Sequence, residues 1–574
     1  MEFPMSNSSE IFDMGVAQLR NTIDPFGIST SILQAQQAWL QHPVELARQL
    51  HQLGSDLWKL QAYACHRLAG PECGDVFVPV EYDERFQETV WTENRFLDVV
   101  KQYYLLYTRW LEDAIFETPE MTEKDRRRAA FWVRQGLNAL APNNYFWTNP
   151  HAVQRFMESA GTSLLDGARN WARDSQRGDV SMVDESAFEV GKNLATTEGQ
   201  VVLRNELLEL IQYSPSTEQV HAIPLLIVAP WINKYYILDL KPAKSLVRYL
   251  VDRGYTVFMT SWKNPTTEMR GTTMDDYMLK GLVPAVEAAR SICDVPQIHA
   301  TGYCIGGTML AALMAWYARA TEHSGQPSPI AHWTLFTTLV DFANPGDIDV
   351  FIDEEGIESI ERMMEARGYL DGRELAMSFR MLRSNSLIWN YFVHNYLYGE
   401  EPPQFDVLYW NTDSTRLPQA MHAFYLRDFY LENKLVQPDA IELGGQPIDL
   451  GRITQPLYAV GTEQDHIAPW KETFKICRYV SGECRYVLAT SGHIMGVISP
   501  PVDPPKRRYW VGDATGAQDP EEWRGAQPKL PGSWWEDWNV WLDQRCGPLQ
   551  AASGLGNETY PPLVAAPGNY VLER

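Results

Sequence analysis

The residues with the clearest chemical potential are Gly302-Tyr303-Cys304-Ile305-Gly306-Gly307, between the apolar run QIHATGY and the small-residue-rich run GGTMLAALMAWYARA. An apolar run ending in a turn, followed at once by a helical pattern, is the setting of a nucleophile elbow. The motif is G-x-[nucleophile]-x-G, with cysteine here where serine is commoner. Gly302 and Gly306 suit such a turn because the strand and helix backbones approach closely there. A helix beginning just behind Cys304 also places partial positive charge beside the sulfur, where a nucleophilic anion forms.

A nucleophile of this type needs a base, and the base needs an orienting acid. In this architecture both come later in the chain, the acid before the histidine, on loops after later strands. PLYAVGT is followed by Glu463-Gln464-Asp465-His466, and RYVLAT by Ser491-Gly492-His493. Cys304, Asp465 and His493 are therefore the candidate catalytic set, with Glu463 a rival for the acid. His466 is either a second functional histidine or a contact for a cap. No GxxxxGK[ST] phosphate loop, GxGxxG dinucleotide loop or HExxH zinc motif is present, so no metal site is expected.

Strands must carry these loops. HAIPLLIVAP and YTVFMTSW read as short buried strands with the helical LKPAKSLVRYLVDRG between them. The alternation continues through VPAVEAARSI, QIHATGY, the elbow helix, HWTLFTTLV, PLYAVGT and RYVLAT. Strands alternating with helices predict a mostly parallel sheet covered on both faces. The alternation breaks between about 341 and 447, where an aromatic-rich stretch including Trp389, Tyr391, Phe392, Tyr396, Tyr409 and Trp410 reads as an inserted cap. Residues 1–200 read as a helical domain and 201–574 as the catalytic domain. In the former, Leu46, Leu50, Leu53, Leu57 and Leu60 form one stripe, and Phe96, Val99, Tyr103, Leu106 and Trp110 another. The Gly/Pro/Ala-rich tail after Cys546 is expected to lie extended on the surface.

Composition narrows the partners. The 574 residues are 45% hydrophobic and 21% charged, and 73 acidic against 49 basic residues leave a net charge of −24. Such a balance disfavours nucleic acid, which must be met by Lys and Arg. Seven scattered cysteines without a CxxC pair suit a reducing compartment with no disulfide framework. No signal peptide is read at the start, and no transmembrane segment is expected.

Longer stretches resemble a known family, the polyhydroxyalkanoate synthases, most closely the single-subunit class I type. The resemblance runs through DERFQETVW, NYFWTNP, GKNLATTEGQVVLRNELLELIQY, APWINKYYILDL, SWKNP, GYCIGGT, LIWNYFVHNYLYG, FDVLYWNTDST, GTEQDHIAPW, SGHIMGVISPP and GSWWEDWNVWL. It implies an α/β-hydrolase-type catalytic domain with an inserted cap after a helical N-terminal domain. It also implies polymerisation of (R)-3-hydroxyacyl-CoA into polyester with release of CoA. Cys304 would carry the acyl group, with His493 as its base and Asp465 as the third member. The Ile305 backbone N–H would supply one oxyanion donor, and the loop Pro230-Trp231-Ile232-Asn233 a second. Trp410 would help the cap exclude water. No cofactor is expected beyond the CoA of the substrate, and the expected acyl chain is short, as in 3-hydroxybutyryl-CoA. The expected partners are the growing polyester and granule surface, a second copy of the chain, and granule-associated proteins, in the cytoplasm at the granule surface.

Overall fold

The computed structural model describes residues 28–70, 74–79 and 83–574. These form two compact units. The first holds the described residues up to Asp184 together with Met377–Pro403, and the second holds Glu185–Ala376 and Gln404–Arg574. The units divide near 184 rather than 200, and the stretch expected as one cap is shared between them.

The main helices of the first unit are α1 (Ile28–Gln41), α2 (Pro43–Ala69), α3 (Arg95–Phe116), α4 (Glu123–Ala139), α5 (Pro150–Glu158) and α6 (Thr162–Arg177). Local signals set their ends. Pro43 occupies the first turn of α2, Asn94 caps α3 by accepting from the N–H groups of Phe96 and Leu97, and left-handed Gly178 ends α6. The apolar stripes are only partly inside: Leu60 and Leu106 are buried, while Leu50 and Phe96 are exposed. The buried face of α3 instead carries Asp98, Lys101 and Gln102. Asp98 accepts from Arg67 Nε at 2.6 Å and Tyr63 OH at 2.7 Å, and Lys101 lies 3.2 Å from Asp98. Gln102 exchanges hydrogen bonds with the Phe77 backbone. Burial of such groups is tolerable only with partners, and here each has one.

Residues 377–403 join this unit through α6. A Cβ on Gly167 would stand 2.0 Å from the carbonyl oxygen of Tyr396, so only glycine admits that segment. Asn170 donates to the carbonyls of Asn395 and Glu400 at 3.1 and 3.0 Å.

In the second unit one eleven-stranded sheet forms the core. Its strands are β1 (Gly199–Arg204), β2 (Leu208–Tyr213), β3 (Leu225–Val228), β4 (Val257–Trp262), β5 (Ile298–Tyr303), β6 (Ile330–Phe336), β7 (Leu457–Thr462), β8 (Cys484–Ala489), β9 (Arg508–Asp513), β10 (Leu530–Pro531) and β11 (Val564–Ala565). They lie in the order β10-β9-β8-β7-β6-β5-β3-β4-β2-β1-β11. The six central strands, β4-β3-β5-β6-β7-β8, run parallel. They are the six that the sequence pattern marks, and nearly every residue in them is buried, as a sheet covered on both faces requires. Antiparallel strands extend it at both edges. The fold is of the α/β-hydrolase type.

Helix α7 (Val283–Cys293) and α8 (Ile305–Ser324), which is buried from Ile305 to Ala315, pack on the sheet. Near the other end of the chain, α9 (Trp534–Asp543) buries Trp534, Trp535, Trp538 and Trp541. The tail is extended, but it is hydrogen-bonded into the fold: β11 pairs with β1, and Leu549–Ala551 pairs with Gln219–His221. No helix among the described residues is long and apolar enough to cross a membrane.

One expectation is overturned. Cys477 and Cys484 form a disulfide, with Cα atoms 5.5 Å apart. Ser481 and Gly482 both donate to the Ile453 carbonyl, folding the chain back between them. A Cβ on Gly482 would lie 2.5 Å from the Gln455 carbonyl oxygen, so the reversal depends on glycine. A search for CxxC spacing misses a pair closed by such a reversal.

Candidate active site

Cys304 stands between β5 and α8 with φ 53° and ψ −126°. That backbone region is strained for a residue with a side chain, and it turns the sulfur out of the sheet between strand and helix. The neighbours show why the motif needs glycine. A Cβ on Gly306 would sit 2.6 Å from the Val228 carbonyl oxygen and 2.7 Å from that of Ala229. A Cβ on Gly302 would sit 2.4 Å from Gly307 Cα. The turn is held by the Cys304 N–H, which donates to the Phe336 carbonyl at 2.9 Å.

Asp465 lies three residues past the end of β7 and is buried. Its Oδ1 accepts from the N–H groups of Ile467 (2.9 Å) and Ala468 (2.8 Å), and its Oδ2 accepts from Thr462 Oγ1 at 3.1 Å. The same Oδ2 lies 2.7 Å from His493 Nδ1. Burial alone would raise the Asp465 pKa. The charge and hydrogen bond of His493, aided by the backbone donors, outweigh burial and hold the carboxyl below its ordinary value.

His493 sits four residues beyond β8 and is buried. Burial would lower its pKa. The opposing pull of Asp465, together with the charge of Cys304 and a side-chain hydrogen bond to it, wins and pushes the imidazole up to about 10. His493 is thus linked to Asp465 on one side and to Cys304 on the other. The Tyr303 ring stacks on its imidazole at 5.6 Å between centroids. The loop is pinned from below by α9, where Trp534 Nε1 donates to the Gly496 carbonyl at 2.8 Å and Trp535 Nε1 to that of Val497 at 2.9 Å. Gly496 in turn presses on the acid loop, since a Cβ there would stand 2.3 Å from Thr462 Cγ2.

The other expected site residues occupy different places. Glu463, the rival acid, is paired with Arg524. His466 is half-buried, and its carbonyl packs against Gly346, where a Cβ would come within 2.8 Å. Ile305 opens α8 and is buried, so its N–H is one of those a helix start leaves without an intrahelical acceptor. In the loop after β3, Pro230 has no N–H, and that of Asn233 donates to Thr415 Oγ1 at 3.1 Å. This leaves Trp231 and Ile232 as the candidates for a second donor. Trp410 is buried, and its Nε1 donates to the Lys234 carbonyl at 2.6 Å, so it braces that loop.

Trp389, Tyr391, Phe392 and Tyr396 belong to the first unit. The cap aromatics that feel the charge of Cys304 are Tyr425 and Tyr430, whose hydroxyl pKa values burial raises. They pack around Phe342 on the π-helical stretch Tyr425–Leu431. Sequence reasoning missed them because YLRDFYL carries no distinguishing motif. Among the described residues no cluster of three or more His, Cys, Asp or Glu side chains could hold a metal ion.

Comparison with known proteins agrees with this architecture. Residues 82–250 match the family model described as the poly-beta-hydroxybutyrate polymerase (PhaC) N-terminus, and 233–499 match that of the alpha/beta hydrolase fold. The poly(3-hydroxyalkanoate) polymerase subunit PhaC of Cupriavidus necator is 42% identical over 523 residues, covering 90% of this chain and 86% of that protein. The poly(3-hydroxyalkanoate) polymerase of Methylorubrum extorquens is 39% identical over 562 residues, covering 97% and 91%. Poly(3-hydroxyalkanoate) polymerase 1 of Ectopseudomonas oleovorans is 40% identical over 499 residues, covering 86% and 87%. With an elbow cysteine, a buried Asp–His pair and likeness along nearly its whole length, the chain belongs to the poly(3-hydroxyalkanoate) polymerase family, acyltransferases built on the α/β-hydrolase fold.

Proposed function

We propose that this chain polymerises (R)-3-hydroxyacyl groups, short ones such as 3-hydroxybutyryl, from their CoA thioesters through an acyl-Cys304 intermediate. The observation that carries the reading is the placement of His493 between Asp465 and the elbow cysteine. In the first step His493 takes the Cys304 thiol proton as the sulfur attacks the thioester carbonyl. The developing oxyanion is held by the Ile305 N–H and a donor from Trp231 or Ile232. The tetrahedral species collapses by breaking the carbon–sulfur bond to CoA, and the CoA thiolate takes the proton from His493. One thioester replaces another, so the acyl group stays activated. In the second step the 3-hydroxyl oxygen of a hydroxyacyl group attacks that carbonyl while the neutral imidazole removes its proton. The ester forms as the bond from the carbonyl carbon to Cys304 sulfur breaks, and the sulfur recovers the proton from His493.

Asp465 keeps the imidazole in the tautomer with its proton at Nδ1 and stabilises the charged ring. Polymer accumulates only if the hydroxyl arrives before water, which is the part assigned to Tyr425, Tyr430 and Phe342 in lining the approach to the sulfur. Each step balances with the substrate's own groups and these side chains. A homodimer working at the surface of cytoplasmic polyester granules belongs to the same reading. Incubation with (R)-3-hydroxybutyryl-CoA tests it: insoluble polyester and stoichiometric CoA are expected, whereas free 3-hydroxybutyrate would identify a hydrolase instead.

A further inference from the structure

The chain is strongly acidic, yet Lys506, Arg507 and Arg508 follow one another where the chain passes from the His493 loop into β9, Arg508 being its first residue. Lys506 and Arg508 are exposed, Arg507 is half-buried, and exposed Lys529 lies over the Trp510 ring at 4.2 Å. Among the described residues none of these four makes an ion pair, while neighbouring Lys471 and Arg524 are paired with Glu521 and Glu463. An uncompensated basic group on so acidic a protein is suited to an anion.

Its location specifies which anion. Strand β9 is antiparallel to β8, with Ala489 opposite Tyr509. The next residue outward, Arg508, exchanges bonds with Thr490: its N–H donates to Thr490 Oγ1 at 3.1 Å, and its carbonyl accepts from the Thr490 N–H at 3.0 Å. Arg508 therefore lies at the carboxyl end of β8, the end that carries His493. Gly532 fixes the adjacent turn by donating to the Arg507 carbonyl. From β5, which ends beside Cys304, the order β5-β6-β7-β8-β9 makes four strand spacings, or roughly 19 Å. An extended phosphopantetheine chain, about 13 bonds from sulfur to the first phosphorus, spans roughly 16 Å at ordinary bond lengths. The pyrophosphate and ribose 3′-phosphate lie beyond that point.

We propose that Lys506, Arg507, Arg508 and Lys529 form the subsite for the 3′-phosphoadenosine diphosphate end of the coenzyme A thioester, with the pantetheine arm reaching across β8, β7 and β6 to Cys304. This rests on the acyl-CoA reading above. Guanidinium groups grip phosphate oxygens in pairs and lysines supply point charges, so the cluster carries the chemistry for both phosphate groups.

The test compares (R)-3-hydroxybutyryl-CoA with the same acyl group on N-acetylcysteamine, which lacks every phosphate. In a variant with Lys506, Arg507, Arg508 and Lys529 all replaced by Gln, kcat/KM for the CoA thioester is expected to fall at least tenfold relative to that for the truncated thioester. Equal losses with both substrates, or no loss with either, would overturn the subsite. Because the variant could misfold, the wild-type protein gives a second reading. Adenosine 3′,5′-bisphosphate should compete with the CoA thioester and leave turnover of the truncated thioester untouched; no inhibition, or equal inhibition of both, would overturn it. Equilibrium binding of that nucleotide to wild type and variant reads the subsite even if the product proves to be hydroxy acid, which separates this proposal from the polymerase reading.

Discussion

His493 Nδ1 lies 2.7 Å from Asp465 Oδ2, and the same oxygen accepts from Thr462. The acid is thereby fixed by its own strand end before it orients the histidine. Replacing Asp465 with Asn removes the charge that raises the His493 pKa and offers the wrong tautomer to the ring. His493, pushed up to about 10 in the native site, should then titrate lower. Alkylation of Cys304 by iodoacetamide at pH 7 is expected to slow by roughly 10². An unchanged rate would detach Asp465 from the activation of Cys304.

Cys304→Ala should abolish acyl-enzyme formation and CoA release together, since no neighbouring side chain offers a thiol to hold the acyl group. Rapid-quench labelling with a radiolabelled acyl-CoA, followed by peptide mapping, checks this. Label retained by the variant would place the nucleophile elsewhere.

Gly306→Ala puts a methyl group against two backbone carbonyls at the base of the elbow. Backbone cannot step aside as a flexible side chain can, so a loss of about 1–3 kcal/mol in stability is expected. Activity should fall even where the protein stays folded, because relief of the clash moves Cys304. Urea unfolding and acylation rates on the same preparation measure both.

Trp410→Phe keeps most of the buried ring volume and removes the Nε1 donor to the Lys234 carbonyl. A net loss near 1 kcal/mol is expected for that bond. If Trp231 or Ile232 supplies an oxyanion donor, the loosened loop should lower kcat several-fold with little change in KM. A change in KM alone would assign Trp410 to substrate binding.

A buried histidine pair away from the candidate active site gives the protein an acid limit. His299 and His332 sit on adjacent strands with Nδ1 atoms 2.6 Å apart and are buried beside Trp541. Burial holds His299 well below its usual pKa, with the neighbouring His332 adding to the effect, and burial pushes His332 down to about 4. Their folded pKa values are depressed, so this contribution to stability is complete above the unfolded value near 6.5. It is lost as pH falls from there towards 4, where the unfolded chain binds protons that the native state refuses. For His332 the full effect is on the order of 3 kcal/mol. Tm should fall between pH 7 and 5, and fall less steeply in His332→Gln. Parallel slopes for the two proteins would locate the acid sensitivity elsewhere.

The central parallel sheet and the candidate triad can be read from the order of residues alone. Strands β3 to β8 are buried on both faces, so their apolar runs are continuous, and each triad residue follows such a run at its carboxyl end. The elbow was legible because its glycines are a local steric demand, written into adjacent residues. Features that depend on residues far apart in the chain emerge only once the chain is folded. Strands β1 and β2 pair antiparallel across the point where the sequence was divided into a helical and a catalytic domain, in a stretch to which no strand was assigned. The inward polar face of α3 exists because Arg67, Tyr63 and Phe77 arrive from elsewhere to satisfy it. The Cys477–Cys484 bond needs the reversal at Gly482. Residues 377–403 belong to the first unit, where Gly167 on α6 admits their backbone, and within the second unit Tyr425 and Tyr430 feel the charge of Cys304. Periodicity records which side of an element is apolar; which partner covers it is set by packing across the whole chain.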